Sequence, residues 1–412
     1  MCNSFLISLL FSLNLLNLNN FLEYQYYVEI PNTDISQVLI YKFGNYIYTI
    51  NQNIDNSDSL SFNFNVFSKD TNFGIIANVN ENNYDSKVKR SYRIHDFALN
   101  EKHLVILADY YIFIFEKDVN NNYIYQNKIF LENYQSFQKI ILKMDFLVLL
   151  NNRTYSHLDT KKDNIYMGKV NLLEKPYNLK IDYIYNVEYL ELSIFQPKEL
   201  VSYDLENDLC FISETMNYKI RIFENGILQD SIVNNISSWN DSLSLVMKQR
   251  LDKIPKKDSL TYEDRIICNN IMASVTKDYY ASSKIREIKF LEPDKLLVIW
   301  EGPEINGTLN LHFDLWKNIS GKWLLIKEDI RTPDNKVDDL VLNNSYLQCG
   351  FFKVLDDGYL VGIEYKTLNI FDEKYKNMKL GDFWKLCEKA LDESELGTAL
   401  YIYKLDLEKK DE

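Results

Sequence analysis

A short strand ending recurs along this chain at fixed spacing, and that recurrence constrains the fold more than any other feature. Tyr110–Glu116 reads Y-Y-I-F-I-F-E and Tyr218–Glu224 reads Y-K-I-R-I-F-E. Ile220 lies 108 residues after Ile112, and a further copy, Leu368–Asp372 (L-N-I-F-D), has its isoleucine 150 residues after Ile220. The first gap is two units of 54. The second is longer because residues 240–283 are helical in pattern, unlike their surroundings. Leu243, Met247 and Leu251 share a helical face, and Pro255 stops that helix. Thr261 with Asp264 forms a capping-box signature, and Ile267 and Ile271 continue a second helix. With this insert set aside, a period of about 54 predicts intermediate copies. They occur at Ser61–Phe67, Asn164–Lys169 and Leu311–Lys317, making six.

The strands before each copy repeat as well. Ile288–Trp300 lines up with Phe352–Glu364, and Asp96–Leu107 follows the same strand, polar turn, strand scheme. Val38–Ile50, Ile140–Leu150 and Leu200–Ile212 are the remaining hairpins. Further strands follow most copies, as at Tyr123–Phe130 and Ile227–Val233. Four antiparallel strands per unit, six times over, predict an all-β fold, a six-bladed β-propeller. The two-helix insert falls between blades four and five. Abundant Tyr (30) and Phe (23) favour strands, while scarce Gly (12) and Pro (7) leave Asn, Asp and Ser to make the turns. Tyr24–Ile30 and Ala399–Leu407 are strands without a blade of their own. One or both should complete the last blade and remove an open edge. A short amphipathic helix is expected at Asp382–Leu391, with Phe383, Leu386, Cys387 and Ala390 on one side.

Phe211–Gly226 (F-I-S-E-T-M-N-Y-K-I-R-I-F-E-N-G) resembles an NHL-type propeller repeat, in which a strand is followed by Asp-Thr-x-Asn and then Arg-Ile-x-Val-Phe. Glu214, Thr215, Asn217, Lys219, Ile220, Ile222 and Phe223 match in kind. The chain as a whole resembles the six-bladed propeller proteins of Bacteroidetes. The likeness is close in one blade and loose in the other five. It implies a single propeller over residues 21–412, commonly exported. That family mixes enzymes with binding modules.

Phe5–Leu16 is an apolar run of signal-peptide length, too short to span a bilayer. Residues 1–20 are therefore read as an export signal, although no Lys or Arg precedes Lys42. The expected location is a bacterial periplasm or cell surface, with the cytoplasm as the alternative. The net charge of −13, without a basic block, disfavours nucleic acid. The five cysteines are widely spread and form no metal or disulfide pattern.

No G-x-S-x-G, H-E-x-x-H, Walker or dinucleotide motif occurs. The four histidines (His95, His103, His157, His312) are scattered, and His312 reads as a packed or surface strand residue. His95 and Asp96 open an innermost strand, near the central channel. Propeller enzymes gather carboxylates at the channel mouth, often around a hard cation such as Ca2+. Asp96, Glu188 and Glu287 are the candidates here, against solvated strand-end charges. Trp300 and Glu301 begin a loop (301–310) longer than its expected counterpart in blade six. That loop and the helical insert emerge on the same face of a propeller. Loops on a rigid scaffold are where binding is built. The favoured reading is thus a non-catalytic scaffold, without cofactor, that binds a protein, peptide or glycan on the insert face. Its candidate contacts are His95, Asp96, Glu188, Glu287, Trp300 and Glu301. The alternative is a metal-assisted hydrolase or lactonase.

Overall fold

The computed structural model describes residues 21–31, 38–52, 62–67, 72–78, 94–108, 111–119, 123–131, 137–150, 163–187, 200–213, 217–234, 239, 242–254, 261–303, 311–331, 352–355, 357–366 and 397–407. They form six four-stranded antiparallel sheets arranged in a ring, a six-bladed β-propeller. Blade one is β2 (Val38–Phe43), β3 (Tyr46–Gln52), β4 (Phe62–Phe67) and β5 (Asn72–Asn78). Blade two is β6 (Ile94–Leu99), β7 (His103–Ala108), β8 (Tyr111–Lys117) and β9 (Tyr123–Phe130). Blade three is β10 (Lys139–Lys143), β11 (Phe146–Leu150), β12 (Asp163–Asn171) and β13 (Lys180–Val187). Blade four is β14 (Val201–Asp204), β15 (Leu209–Ser213), β16 (Lys219–Glu224) and β17 (Ile227–Val233). Helices α1 (Ser242–Leu251) and α2 (Tyr262–Tyr280) follow. Blade five is β18 (Lys284–Leu291), β19 (Lys295–Glu301), β20 (Leu311–Ile319) and β21 (Lys322–Arg331).

Blade six closes the ring. It runs β22 (Phe352–Val354), β23 (Tyr359–Lys366), β24 (Gly397–Leu405), and then β1 (Leu22–Pro31) from the other end of the chain. Both terminal strands are therefore used, β24 as the third and β1 as the outermost. This corrects one detail of the repeat. The third place in blade six belongs to β24, where the recurrence had put Leu368–Asp372. That segment and the expected helix at Asp382–Leu391 lie outside the described residues. The connection from β23 to β24 is accordingly residues 367–396, longer than the blade-five loop that the sequence had singled out.

The ring is held by apolar faces, each blade against the next. Ile50 and Phe64 of blade one meet Phe97 and Leu104 of blade two. Val105 and Ile112 of blade two meet Leu147 and Val170 of blade three. One continuous cluster then runs from Val148 through Phe211 and Ile220 to Ile288 and Trp316, across blades three, four and five. Phe313 of blade five packs with Phe352 and Tyr403 of blade six. Val28, Leu400 and Ile402 of blade six pack on Ile40 and Ile47 of blade one, which completes the circle. The innermost strands are stitched directly. The Ile140 N–H donates to Asp96 Oδ2 at 2.9 Å, and the Phe290 N–H donates to Ser202 Oγ at 2.8 Å.

The turns follow the composition. Asn225 and Gly226, both at positive φ, make the two-residue turn from β16 to β17, and Ser320 with Gly321 does the same from β20 to β21. Among the described residues the other non-glycine positions with positive φ are Asp208, Asp329 and Met144, of which Met144 alone is not Asp, Asn or Ser. In the insert, the Thr261–Asp264 capping box forms as expected. Thr261 Oγ1 accepts the Asp264 N–H at 3.1 Å, and Asp264 Oδ2 accepts the Thr261 N–H at 3.0 Å. Met247, Val275 and Tyr279 are buried between the two helices, with Leu251 and Ile271 beside them.

Closure predicts a position-dependent stability. Ile402 is fully buried in β24 at the closing blade, so Ile402→Ala should cost about 2–5 kcal/mol. The same type of truncation at exposed Ile227 should stay within about 0.5 kcal/mol. Urea midpoints read by tryptophan fluorescence check this; equal shifts at the two positions refute the closure argument.

Candidate functional site

Strands β18 and β19 begin and end at the face from which the insert projects. Lys284, the first residue of β18, pairs in register with Glu301, the last of β19. Both side chains are essentially fully buried. Lys284 Nζ stands 3.2 Å from Glu301 Oε2, donates to the Tyr279 carbonyl at 3.3 Å, and lies over the Tyr279 ring at 4.6 Å. Arg286 Nη1 adds a longer contact to Glu301 Oε1 at 3.5 Å. The C-terminal end of α2 is thus pinned to the floor of blade five by a buried cation. Breaking such a pair leaves a charge without its partner in a dry site, which costs several kcal/mol. Helix α1 is tied to α2 by Arg250, which pairs with Asp278 and donates to Ser274 Oγ at 2.6 Å.

Beside this floor lies a second polar centre, built on Asp314 of β20. Asp314 is fully buried. Its Oδ2 accepts the Tyr218 hydroxyl at 2.7 Å and the Trp300 Nε1–H at 3.0 Å; its Oδ1 accepts the Asp329 N–H at 2.8 Å. The Trp316 Nε1–H donates to the Tyr218 oxygen at 3.1 Å. Tyr218 immediately precedes β16, so this carboxylate joins blade four to blade five. Burial pushes the Asp314 pKa up to about 6, against the three donors that favour its charged form. Burial, with the Asp314 charge behind it, also holds the Tyr218 hydroxyl well above its usual range.

His312 stacks on Trp300, with ring centroids 3.7 Å apart and planes 6° from parallel. Its Nδ1 bonds the Asp329 carboxylate. Asp329 sits at φ +57 in the bulge where β20 and β21 lose register, and Arg331 grips it through Nε (3.1 and 3.2 Å) and Nη2 (2.6 Å). A bulge re-aims a side chain in this way at the cost of local backbone strain. Burial opposes ionisation of Asp329, yet the bonds from His312 and Arg331 win and hold its pKa below the usual value. Burial lowers the His312 pKa despite the neighbouring carboxylate, so the ring is neutral near pH 7.

The sequence candidates are only partly assembled here. Trp300 and Glu301 belong to this corner. Glu287 follows the bulge in β18 and is nearly buried. His95 occupies the corresponding bulge of β6, in blade two. Asp96 is engaged by the Ile140 N–H, and Lys353 Nζ of blade six lies 4.0 Å from its Oδ1. With blade one between blades two and six, that pair spans the central channel. Glu188 lies outside the described residues. Among the described residues, no group of three or more His, Cys, Asp or Glu side chains is placed to hold a metal ion. The residues that sequence reasoning passed over are Tyr218, Trp239, Lys284, His312, Asp314, Asp329 and Arg331. Asp314 had a signal: a carboxylate inside the apolar run L-H-F-D-L-W. Asp329 had none, because a bulge places it.

The stability of this corner should depend on pH. A carboxyl with its folded pKa raised binds protons more readily folded than unfolded. Its contribution is therefore full below the unfolded pKa near 3.8 and is lost as pH rises through about 6. His312, with its lowered pKa, contributes the opposite slope below 6.5. Comparison with Asp314→Asn isolates the first effect. The wild type's stability relative to that variant should fall by on the order of 3 kcal/mol between pH 4 and pH 7. Urea unfolding across that range tests it, and a pH-independent difference rejects the assignment.

No known protein family's sequence pattern matches the chain, and no curated protein is similar to it in sequence. Among solved structures it is similar to a Bacteroides fragilis protein inferred to be exported. The identity is 13% and the TM-score 0.48, over 96% of this chain and 97% of that one. It is also similar to a member of the DUF4221 family from Bacteroides vulgatus, at 9% identity and TM-score 0.46, over 93% and 97%. The Hsv2 protein of a Kluyveromyces yeast follows at 10% identity and TM-score 0.33, over 72% and 84%.

Proposed function

We propose that this protein is a non-catalytic, exported binding scaffold that engages a protein or peptide through the propeller face bearing the α1–α2 insert. One observation carries the reading. The first half of α2 exposes Tyr262 (79%), Ile266 (43%) and Ile267 (47%), while its C-terminal end is anchored by the buried Lys284. An amphipathic helix normally hides such residues. Here they stand on a helix packed against α1 through Val275 and Tyr279, and presentation on a preformed helix reduces the entropy cost of binding. A partner with its own apolar patch and a basic rim suits both this surface and the net charge of −13. The NHL-like repeat of blade four and the apolar run Phe5–Leu16 are the sequence support for a divergent exported propeller. No described helix is long and apolar enough to cross a membrane.

The hydrolase alternative draws less support, since Asp96 is occupied by the Ile140 N–H and the Lys353 ammonium.

Site-specific photo-crosslinking in the native cell tests the proposal. A crosslinker at Tyr262 should capture a discrete partner; one at Val119, fully exposed in the turn between β8 and β9 on the opposite face, should not. Ile266→Glu with Ile267→Glu should abolish the Tyr262 adduct while leaving stability within about 1 kcal/mol. Equal adducts from both faces, or an adduct that survives the double substitution, reject it. Mass analysis of the mature amino terminus checks export, with processing expected before Phe21, which is buried against the ring.

A further inference from the structure

Two polar atoms beside Trp300 are buried with neither a hydrogen-bond nor an ion-pair partner among the described residues, His312 Nε2 and Trp239 Nε1; Glu301 Oε2, also without a hydrogen bond, has the Lys284 ammonium 3.2 Å away. His312 is 2% exposed, and Trp239 is half-buried. Both rings pack on Trp300, His312 in parallel contact and Trp239 at 5.5 Å and 56°. Trp239 also meets the edge of Tyr218 at 5.5 Å. Each unsatisfied buried group costs about 1–3 kcal/mol, so native folds keep few of them. Two at one aromatic corner, on the face that carries the insert, need a common explanation.

The tautomer of His312 decides what that corner lacks. Asp329 is ionised and clamped by Arg331, so Nδ1 carries the proton and donates to it. Nε2 is then a lone pair that requires a donor. Trp239 Nε1–H requires an acceptor. A hydroxyl group supplies both. A fully ionised anion has no donor for the Nε2 lone pair, and an ammonium has no lone pair for the indole. The half-buried indole adds an apolar surface for the carbon skeleton that bears the hydroxyls.

We propose that His312 and Trp239 frame a binding site for a neutral, hydroxyl-rich ligand of the saccharide class, at the junction of blades four and five beneath the helical insert. His312 Nε2 accepts from a sugar hydroxyl, and Trp239 Nε1–H donates to one. Asp329 and Arg331 act as positioning residues that fix the imidazole. Asp314 holds Trp300, the wall between the two contact groups. The site goes beyond the partner surface on α2 and stands whether or not that surface binds a protein.

The experiment is a titration of the full chain with glucose, galactose, mannose, N-acetylglucosamine and their disaccharides. It is followed by 15N imidazole resonances and by tryptophan emission. Four of the chain's five tryptophans lie in blades four and five or the link between them, and only four histidines need assignment. His95→Gln, His103→Gln and His157→Gln assign His312 by elimination, without altering the site. The expected result is a saturable shift of the His312 Nε2 resonance by at least one sugar, with a parallel emission change. His312→Phe keeps the stack on Trp300 but lacks the lone pair, and Trp239→Phe lacks the N–H. Each should weaken that sugar about tenfold, the loss of one hydrogen bond. If either variant fails to fold, the wild-type Nε2 shift decides alone. A resonance that no sugar moves up to its solubility limit, as when only water fills the corner, overturns the proposal. So does a sugar that binds both variants as tightly as it binds the wild type.

Discussion

Everything in this molecule depends on closing the ring with strands from opposite ends of the chain. A propeller blade is apolar on both faces and is stable only between two neighbours. Five of the six blades are continuous in sequence. The sixth is not: β1 pairs with β24 from Leu22↔Leu405 to Pro31↔Gly397. That pairing covers the edge of β24 and brings Val28 and Ile30 onto Ile40 and Ile47 of blade one. Without it, blade one would show an apolar face to water and β24 an open edge. The length of the chain between the two strands makes this contact the most entropically demanding in the fold, and its reward is the completed ring.

Most of the architecture was legible because a propeller writes its period into the sequence. The strand ending at Tyr218–Glu224 sits at the third place of its blade, and so do its copies in the other continuous blades. The misplacement of Leu368–Asp372 has a physical reason. A third strand is defined by its pairing with the second, and β23 can pair with any apolar alternating segment that returns to it. Gly397–Leu405 does so and has β1 waiting on its other side. Local pattern cannot report that preference, because the deciding interaction comes from residues nearly 400 positions away.

The site was legible to a lesser degree, and the split is informative. Trp300 and Glu301 were singled out through a departure from the period, a signal that survives in sequence. The polar contacts that give them meaning are set by tertiary geometry. Lys284 and Glu301 meet because they are register partners at the ends of β18 and β19. Asp329 reaches His312 because a bulge turns its backbone to positive φ. Neither relation follows from residue type. Asp96 is the opposite case. Its place on an innermost strand was read correctly, but the backbone N–H of Ile140 takes its carboxylate for stitching blade to blade.

Blades four and five concentrate what the other blades lack. Elsewhere the interfaces are mainly aliphatic and aromatic, with single polar ties such as Asp96 to the Ile140 N–H, and most could exchange one apolar side chain for another at modest cost. At this junction a buried carboxylate receives three donors from two blades, and a buried ion pair seats a helix. Such groups are costly unless every partner is in place, so they specify geometry more than they stabilise it. Both occur where the insert leaves and re-enters the ring. Lys284 fixes the end of α2, while Tyr218, Trp300 and Asp314 lock the two blades that flank the point of entry. The interruption of the repeat and the polar junction thus coincide: the chain leaves the ring between the two blades that Asp314 ties together and returns to it at the buried Lys284.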